Sequence, residues 1–197
     1  MCNSYSVTKA MLKESKRAGN FRPLIDGEDD WKLIRPTLPG PVMHAEAAEI
    51  MRWGFHRSFA NAVNNTRSDK LDSAMWREAF ARRRCVIPMS GWFEYSGPQG
   101  NKQAHEFTAG DGSLLWAAGI WEENVTLGRC YSMIMTEANP FVSKIHHRMP
   151  LLLDDEALDD YLADGVRNFV TAGMPLAVAA TANPLKKNLG NQQGELF

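Results

Sequence analysis

The chain opens MCNSYSV, with Cys2 directly behind the initiator methionine. A small residue at that position permits removal of Met1. What remains is an α-amine (pKa about 7.7 to 8.0) beside a thiol (pKa about 8.5), a 1,2-aminothiol with both groups near neutrality. Such a group works in two ways: the thiol attacks a carbonyl with its own amine as base, or the amine condenses with an aldehyde and the thiolate closes the imine to a thiazolidine ring. Three other stretches gather reactive or hydrogen-bonding groups: NNTRSD (Asn64 to Asp69), GWFEYSG around Glu94, and IHHRMP (Ile145 to Pro150). Glu94 sits among Trp92, Phe93 and Tyr95, where a buried carboxyl has its pKa raised and serves as a general acid. Neighbouring residues of a strand point to opposite faces, so only one of His146 and His147 is expected to reach a given pocket. Cys85 and Cys130 lie in apolar runs and read as core.

These groups need a scaffold. Apolar, β-branched or aromatic runs suited to strands occur at CVIPM, GWFEY, LLWAAGIWE, CYSMIMT, MPLLL and PLAVAAT. Helical patterns appear from Thr8 to Arg17 and from Asp72 to Arg83, behind the caps Thr8 and Asp72, and another follows Asp154. The Pro/Gly-rich stretches RPTLPGP and YSGPQGN read as loops. Strands outnumber helices without regular βαβ alternation, so the expected class is α+β, a mixed and mainly antiparallel sheet or partly closed barrel with flanking helices.

With 197 residues, 44% of them hydrophobic, the chain is expected to form a single domain over residues 2–197, Met1 removed. No apolar stretch approaches the roughly 20 residues of a membrane span, and no signal segment opens the chain, so no membrane association is expected. Three cysteines without a CxxC pair fit a reducing compartment and a cytoplasmic address, with neither a disulfide framework nor a structural metal site. Neither GxGxxG nor a P-loop occurs, which argues against a nucleotide cofactor. The net charge is −1, so any nucleic-acid binding must be local. Residues 51–90 carry eight Lys/Arg against three acids, whereas residues 151–197 carry three against seven. Most of the basic residues read as solvated faces.

Taken together, MC at the start, N-T-R-S-D, G-W-F-E-Y and H-x-R-M-P in this order resemble the SRAP family, the SOS-response-associated peptidase-like proteins that crosslink to abasic sites in DNA. The RWGF turn (Arg52 to Phe55), CVIPMSGWFEY, LLWAAGIWE, the T-E-A-N stretch (Thr136 to Asn139) and the tail NPLKKNLGNQQGELF extend the resemblance over most of the chain. It implies a barrel-like β core with helices around it, a bacterial or phage-like origin, and association with the nucleoid when bound to DNA. It also implies roles. Cys2 captures the ring-opened sugar aldehyde as a thiazolidine, after autoproteolytic exposure where residues precede it. Asn65 holds the amine or the sugar hydroxyl, Glu94 promotes ring opening, and His146 is the histidine of H-x-R-M-P, with His147 where an aspartate is usual. Arg67 and Arg148 lie inside the motifs; Arg67 is aimed at a phosphate flanking the lesion and Trp53 at a neighbouring base of single-stranded DNA. No cofactor or metal is called for.

The family's usual opening is C-G-R-[FY], whereas Asn3-Ser4-Tyr5 follows Cys2 here. Ser4 can donate to a phosphate without charge, so weaker and less salt-dependent DNA binding is expected. Asp69 stands for the usual glutamate. Two other readings stay open: an N-terminal-nucleophile amidohydrolase or peptidase using Cys2 with Asn65 at the oxyanion, and a non-catalytic single-stranded nucleic-acid-binding module.

Overall fold

The computed structural model describes residues 2–26, 31–45, 47–99, 101–164 and 174–184. From the N-terminus, β1 (Tyr5–Val7) leads to α1 (Lys9–Glu14), α2 (Ala18–Ile25) and β2 (Trp31–Ile34). Five short strands follow: β3 (Pro39–Met43), β4 (Ala48–Trp53), β5 (Phe55–Arg57), β6 (Ala60–Val63) and β7 (Asn65–Arg67). After α3 (Arg77–Arg82) come the long strands β8 (Arg84–Met89), β9 (Gly91–Ser96), β10 (Gln103–Ala109), β11 (Leu115–Asn124) and β12 (Gly128–Glu137). The described part ends with β13 (Arg148–Pro150), β14 (Leu152–Leu153), α4 (Asp155–Asp164) and β15 (Leu176–Thr181).

Strands β12, β4, β3, β8 and β11 pair in that order, and β11 also pairs with β12, so the ring closes into a barrel. The second sheet, β15-β10-β9-β1-β2, is antiparallel throughout. The class is therefore the expected α+β arrangement, mainly antiparallel and barrel-like with a few helices. Closure suits the sequence because β11 and β12 bring buried Ala117, Ile120, Met133 and Met135 to a common core with Val86 and Met89 of β8.

All six apolar runs are strands, but MPLLL divides into β13 and β14. RPTLPGP is only partly a loop, since Pro39, Gly40 and Pro41 belong to β3. Prolines lack the N–H that a two-sided ladder needs, and they are tolerated because β3 registers fully with β4 while meeting β8 at Met43 alone. Gly40 has a packing reason: a Cβ there would lie 2.5 Å from the hydroxyls of both Tyr5 and Tyr131, which hydrogen-bond each other in the core. The first helical pattern breaks at Ser15, and α2 carries Pro23 inside it, held by buried Phe21 and Ile25 one turn apart. The second starts only at Arg77, after a stretch of turns, and Asp72 does not cap it. The third begins as expected, with Asp154 Oδ1 accepting from the Ala157 N–H at 2.9 Å.

Most of the basic middle is structural. Arg57 grips Glu122 with two bonds of 2.5 and 2.8 Å, Arg83 pairs with Glu78, and Arg84 caps backbone carbonyls of α3 and α4. Among the described residues no helix is long and apolar enough to cross a membrane, and all three cysteines are free and buried. Residues 185–197 of the closing segment lie outside the described residues.

Candidate functional site

Strands of both sheets bring the scattered motifs together. β1 runs antiparallel to β9, pairing Tyr5 with Trp92, and the Phe93 N–H donates to the Ser4 carbonyl at 3.0 Å. Cys2 is thereby laid beside Glu94. β7 and β13 flank opposite sides of β12: Asn65 registers with Met133 and Arg67 with Met135, while Arg148 registers with Glu137. The N-T-R and H-x-R-M-P motifs, about 80 residues apart in sequence, converge because each lies along the same strand.

At the centre, Cys2 has no exposed surface, and its Sγ–H points at the Ser4 carbonyl at 3.4 Å. Burial, reinforced by the neighbouring Glu94 carboxylate, pushes the thiol well above its usual pKa, so it is protonated at rest. The Cys2 carbonyl accepts from Asn65 Nδ2 at 2.7 Å and from Asn64 Nδ2 at 3.3 Å. The other end of the Asn65 amide, Oδ1, is buried without a hydrogen-bond partner among the described residues. Such an acceptor costs about 1–3 kcal/mol unless something donates to it.

Glu94 is 2% exposed, and burial pushes its carboxyl up to about 7. Its Oε2 lies 3.9 Å from His146 Nδ1. That nitrogen is 2.9 Å from the Arg148 carbonyl oxygen and 3.1 Å from the Arg148 N–H. Protonated it donates to the first; unprotonated it accepts from the second, so the backbone holds the ring in either state. Burial lowers the His146 pKa. A carboxyl raised to about 7 and an imidazole held toward its neutral form thus stand beside one thiol.

Next to this group lies a cleft of about 400 Å³, lined by Arg67, Ser68, Asp69, Thr136 and Arg148 among others. Arg67 grips Asp69 through bonds of 2.9 and 2.6 Å, and Arg148 Nη1 stands 3.7 Å from the same carboxylate. Arg148 joins the two regions: its backbone holds His146 and its guanidinium lines the cleft. No cluster of His, Cys, Asp and Glu among the described residues could hold a metal ion.

A family model described as SOS response associated peptidase (SRAP) matches residues 1–188. The chain belongs to the SRAP family. Curated SRAP relatives include the Saccharomyces cerevisiae abasic site processing protein YMR114C, 28% identical over 134 residues (61% of this chain, 36% of that one). The Gallus gallus abasic site processing protein HMCES is 28% identical over 193 residues (74% of this chain, 55% of that one). The chain thus spans from about a third to about half of the length of these relatives. Crystal structures of proteins from Bacteroides thetaiotaomicron and Bordetella bronchiseptica share the SRAP fold with TM-scores of 0.74. They are 19% and 24% identical, over 92% of this chain and 93% and 100% of theirs.

Within this SRAP scaffold Cys2, Asn65, Glu94 and His146 come together, whereas two expected contacts with DNA do not survive. Trp53 is wholly buried, with its Nε1 donating to the Asn64 carbonyl at 2.8 Å and its ring against Tyr5 and Tyr131. It offers no face to a base and instead holds the asparagine pair in place. Ser4 is also fully buried, its hydroxyl 3.3 Å from that of Tyr95, so it cannot meet a phosphate. Of the two histidines it is His146 that stands beside Glu94 while His147 is exposed, although not through strand alternation: β13 starts only at Arg148, and the two rings stack at 4.5 Å and 29°. Asn64, which sequence reasoning left without a role, joins Asn65 on the Cys2 carbonyl, the doubled NN being its signal, and Phe59 stands 68% exposed between β5 and β6.

Proposed function

We propose that this SRAP chain processes abasic sites in single-stranded DNA by forming a thiazolidine between Cys2 and the ring-opened sugar aldehyde. The observation that carries the reading is the Asn65 amide: Nδ2 anchors the Cys2 carbonyl at 2.7 Å while Oδ1 waits, buried and unpartnered, as an acceptor for an amine hydrogen of processed Cys2. The names of the curated relatives support the substrate class. Glu94 protonates the ring oxygen and so frees the C1′ aldehyde. The Cys2 amine adds to C1′, water leaves, and an imine results. Sγ then bonds to the imine carbon while its proton passes by way of the Glu94 carboxylate or His146 to the ring nitrogen. Aminothiol plus aldehyde thus gives thiazolidine plus one water, with no redox change.

The amine must be free, so cleavage of the Met1–Cys2 bond comes first, and autoproteolysis is one route to it. As a standing function, peptidase activity is less favoured, because both asparagine amides are spent on the Cys2 carbonyl rather than on the acyl group ahead of it. The deciding experiment incubates mass-verified, Met1-free protein with single-stranded DNA bearing one abasic site. A denaturation-resistant adduct is expected; its absence across pH and salt sinks the reading.

For noncovalent hold, Arg67 and Arg148 supply cations at the cleft and Phe59 the aromatic face that Trp53 cannot. Arg67→Ala with Arg148→Ala should lower affinity on intact and abasic strands alike, and should flatten the plot of log affinity against log salt by about 1 to 1.5 for the two charges. An unaltered slope would remove both from the DNA path. Phe59→Ala should cost about 1–3 kcal/mol in single-strand affinity at unchanged salt slope, read by fluorescence anisotropy, whereas Trp53→Ala should destabilise the fold.

A further inference from the structure

His147 is exposed, yet it is not idle. Its ring stacks on that of His146 at 4.5 Å, and His146 Nδ1 in turn lies 3.9 Å from the buried Glu94 carboxyl. Two imidazoles in such contact resist carrying two positive charges, so the pair titrates as a unit and binds its first proton where hydration is better. We propose that His147 is a positioning residue that takes the pair's first proton and keeps the His146 imidazole neutral and able to accept a proton at mildly acid pH. The use made of that neutral imidazole rests on the abasic-site reading; the coupling itself does not.

The surroundings of His146 agree. Apart from the Arg148 backbone, which supports the charged ring through its carbonyl, the groups acting on it are largely hostile to a second charge. Burial weighs most, followed by the charge of the chain's amino terminus, then His147 and Lys102. Glu94 faces the ring at 3.9 Å, and burial, which raises its carboxyl to about 7, keeps it largely protonated at mildly acid pH. An aspartate at position 147 would reverse the sign of the local field, turning a neighbour that repels the second proton into one that attracts it.

The test follows the imidazole proton resonances of the full chain against pH in wild type, His147→Gln and His147→Asp, with the His146 signal assigned by its loss in His146→Gln. The His146 midpoint should rise by about one pH unit in His147→Asp and by a smaller step in His147→Gln. An unchanged midpoint in both variants overturns the proposal. Adduct rates provide a separate readout: the acid limb of the profile should move up with the His146 midpoint in His147→Asp. His146→Ala should stay slow across the whole profile. If wild type forms no adduct at all, the abasic-site reading fails and the titration still decides the coupling.

Discussion

Cys2→Ala is expected to abolish the denaturation-resistant adduct with abasic single-stranded DNA while leaving the fold and the noncovalent affinity near wild type. The variant keeps an α-amine once Met1 is removed, so it can still form an imine; without the thiol it cannot close the ring, and the imine hydrolyses on denaturation. Borohydride, which reduces an imine to a stable amine, should therefore restore a covalent product for Cys2→Ala. Protein that retains Met1 should give no adduct without borohydride, because its residue-2 nitrogen is an amide and cannot join the thiol in a thiazolidine, although the Met1 amine can still form an imine that borohydride traps. This three-way pattern separates the two halves of the aminothiol, as adduct formation alone does not. Undiminished adduct with Cys2→Ala, borohydride absent, would assign the nucleophile elsewhere. The resting thiol is strongly disfavoured from ionising by its burial and by Glu94, so the thiolate must be generated within the site after the aldehyde has arrived. A thiol kept protonated until its substrate is bound is also protected from adventitious oxidation, since the thiolate is the reactive form.

The parts of this arrangement that sequence made legible are those set by residue type over short spans. CVIPM, GWFEY, LLWAAGIWE and CYSMIMT declare strands through their apolar and β-branched content, and Cys2 and Glu94 stand out as reactive groups in apolar company, whereas Asn65 and His146 are singled out by the family resemblance. Misreadings came where a side chain's direction decided the role. Trp53 follows Met51 at a spacing of two on β4, and both face inward while Arg52 between them does not, an alternation visible in M-R-W but outweighed by the aromatic's fitness for stacking. Ser4 is buried because the Tyr95 hydroxyl meets it across the sheet, a cross-strand contact that no local pattern reports. For the histidine pair the alternation argument does not apply, since both residues lie ahead of β13, yet His146 is the one beside Glu94. Closure of the barrel through the β11–β12 pairing is likewise a long-range property, and with it goes the convergence of Asn65 and Arg148 on β12.

Glu94→Gln tests whether the buried carboxyl is the proton carrier, and it has a signature in stability as well as in rate. In the folded chain the carboxyl titrates at about 7, against 4.5 for the free group, so the folded state holds its proton more tightly than the unfolded one. Stability then falls as pH rises through the window between those values and levels off above it, by up to about 3 kcal/mol at roughly 1.4 kcal/mol per unit. His146 has the opposite sign: burial lowers its pKa, so its neutral form gains stability as pH climbs toward 6.5. The difference between wild type and Glu94→Gln in urea unfolding at pH 5 and pH 8 isolates the carboxyl, and the amide should be the more stable of the two at the higher pH. In the reaction, wild-type adduct formation should weaken as pH rises through about 7, where the acid form is lost. Glu94→Gln should be about 100-fold slower or more below that point and should lack this limb, because an amide fills the same space but moves no proton. A variant that gains stability at pH 8 yet crosslinks at the wild-type rate would leave Glu94 as a buried acid without a catalytic task and pass the proton transfer to His146 alone.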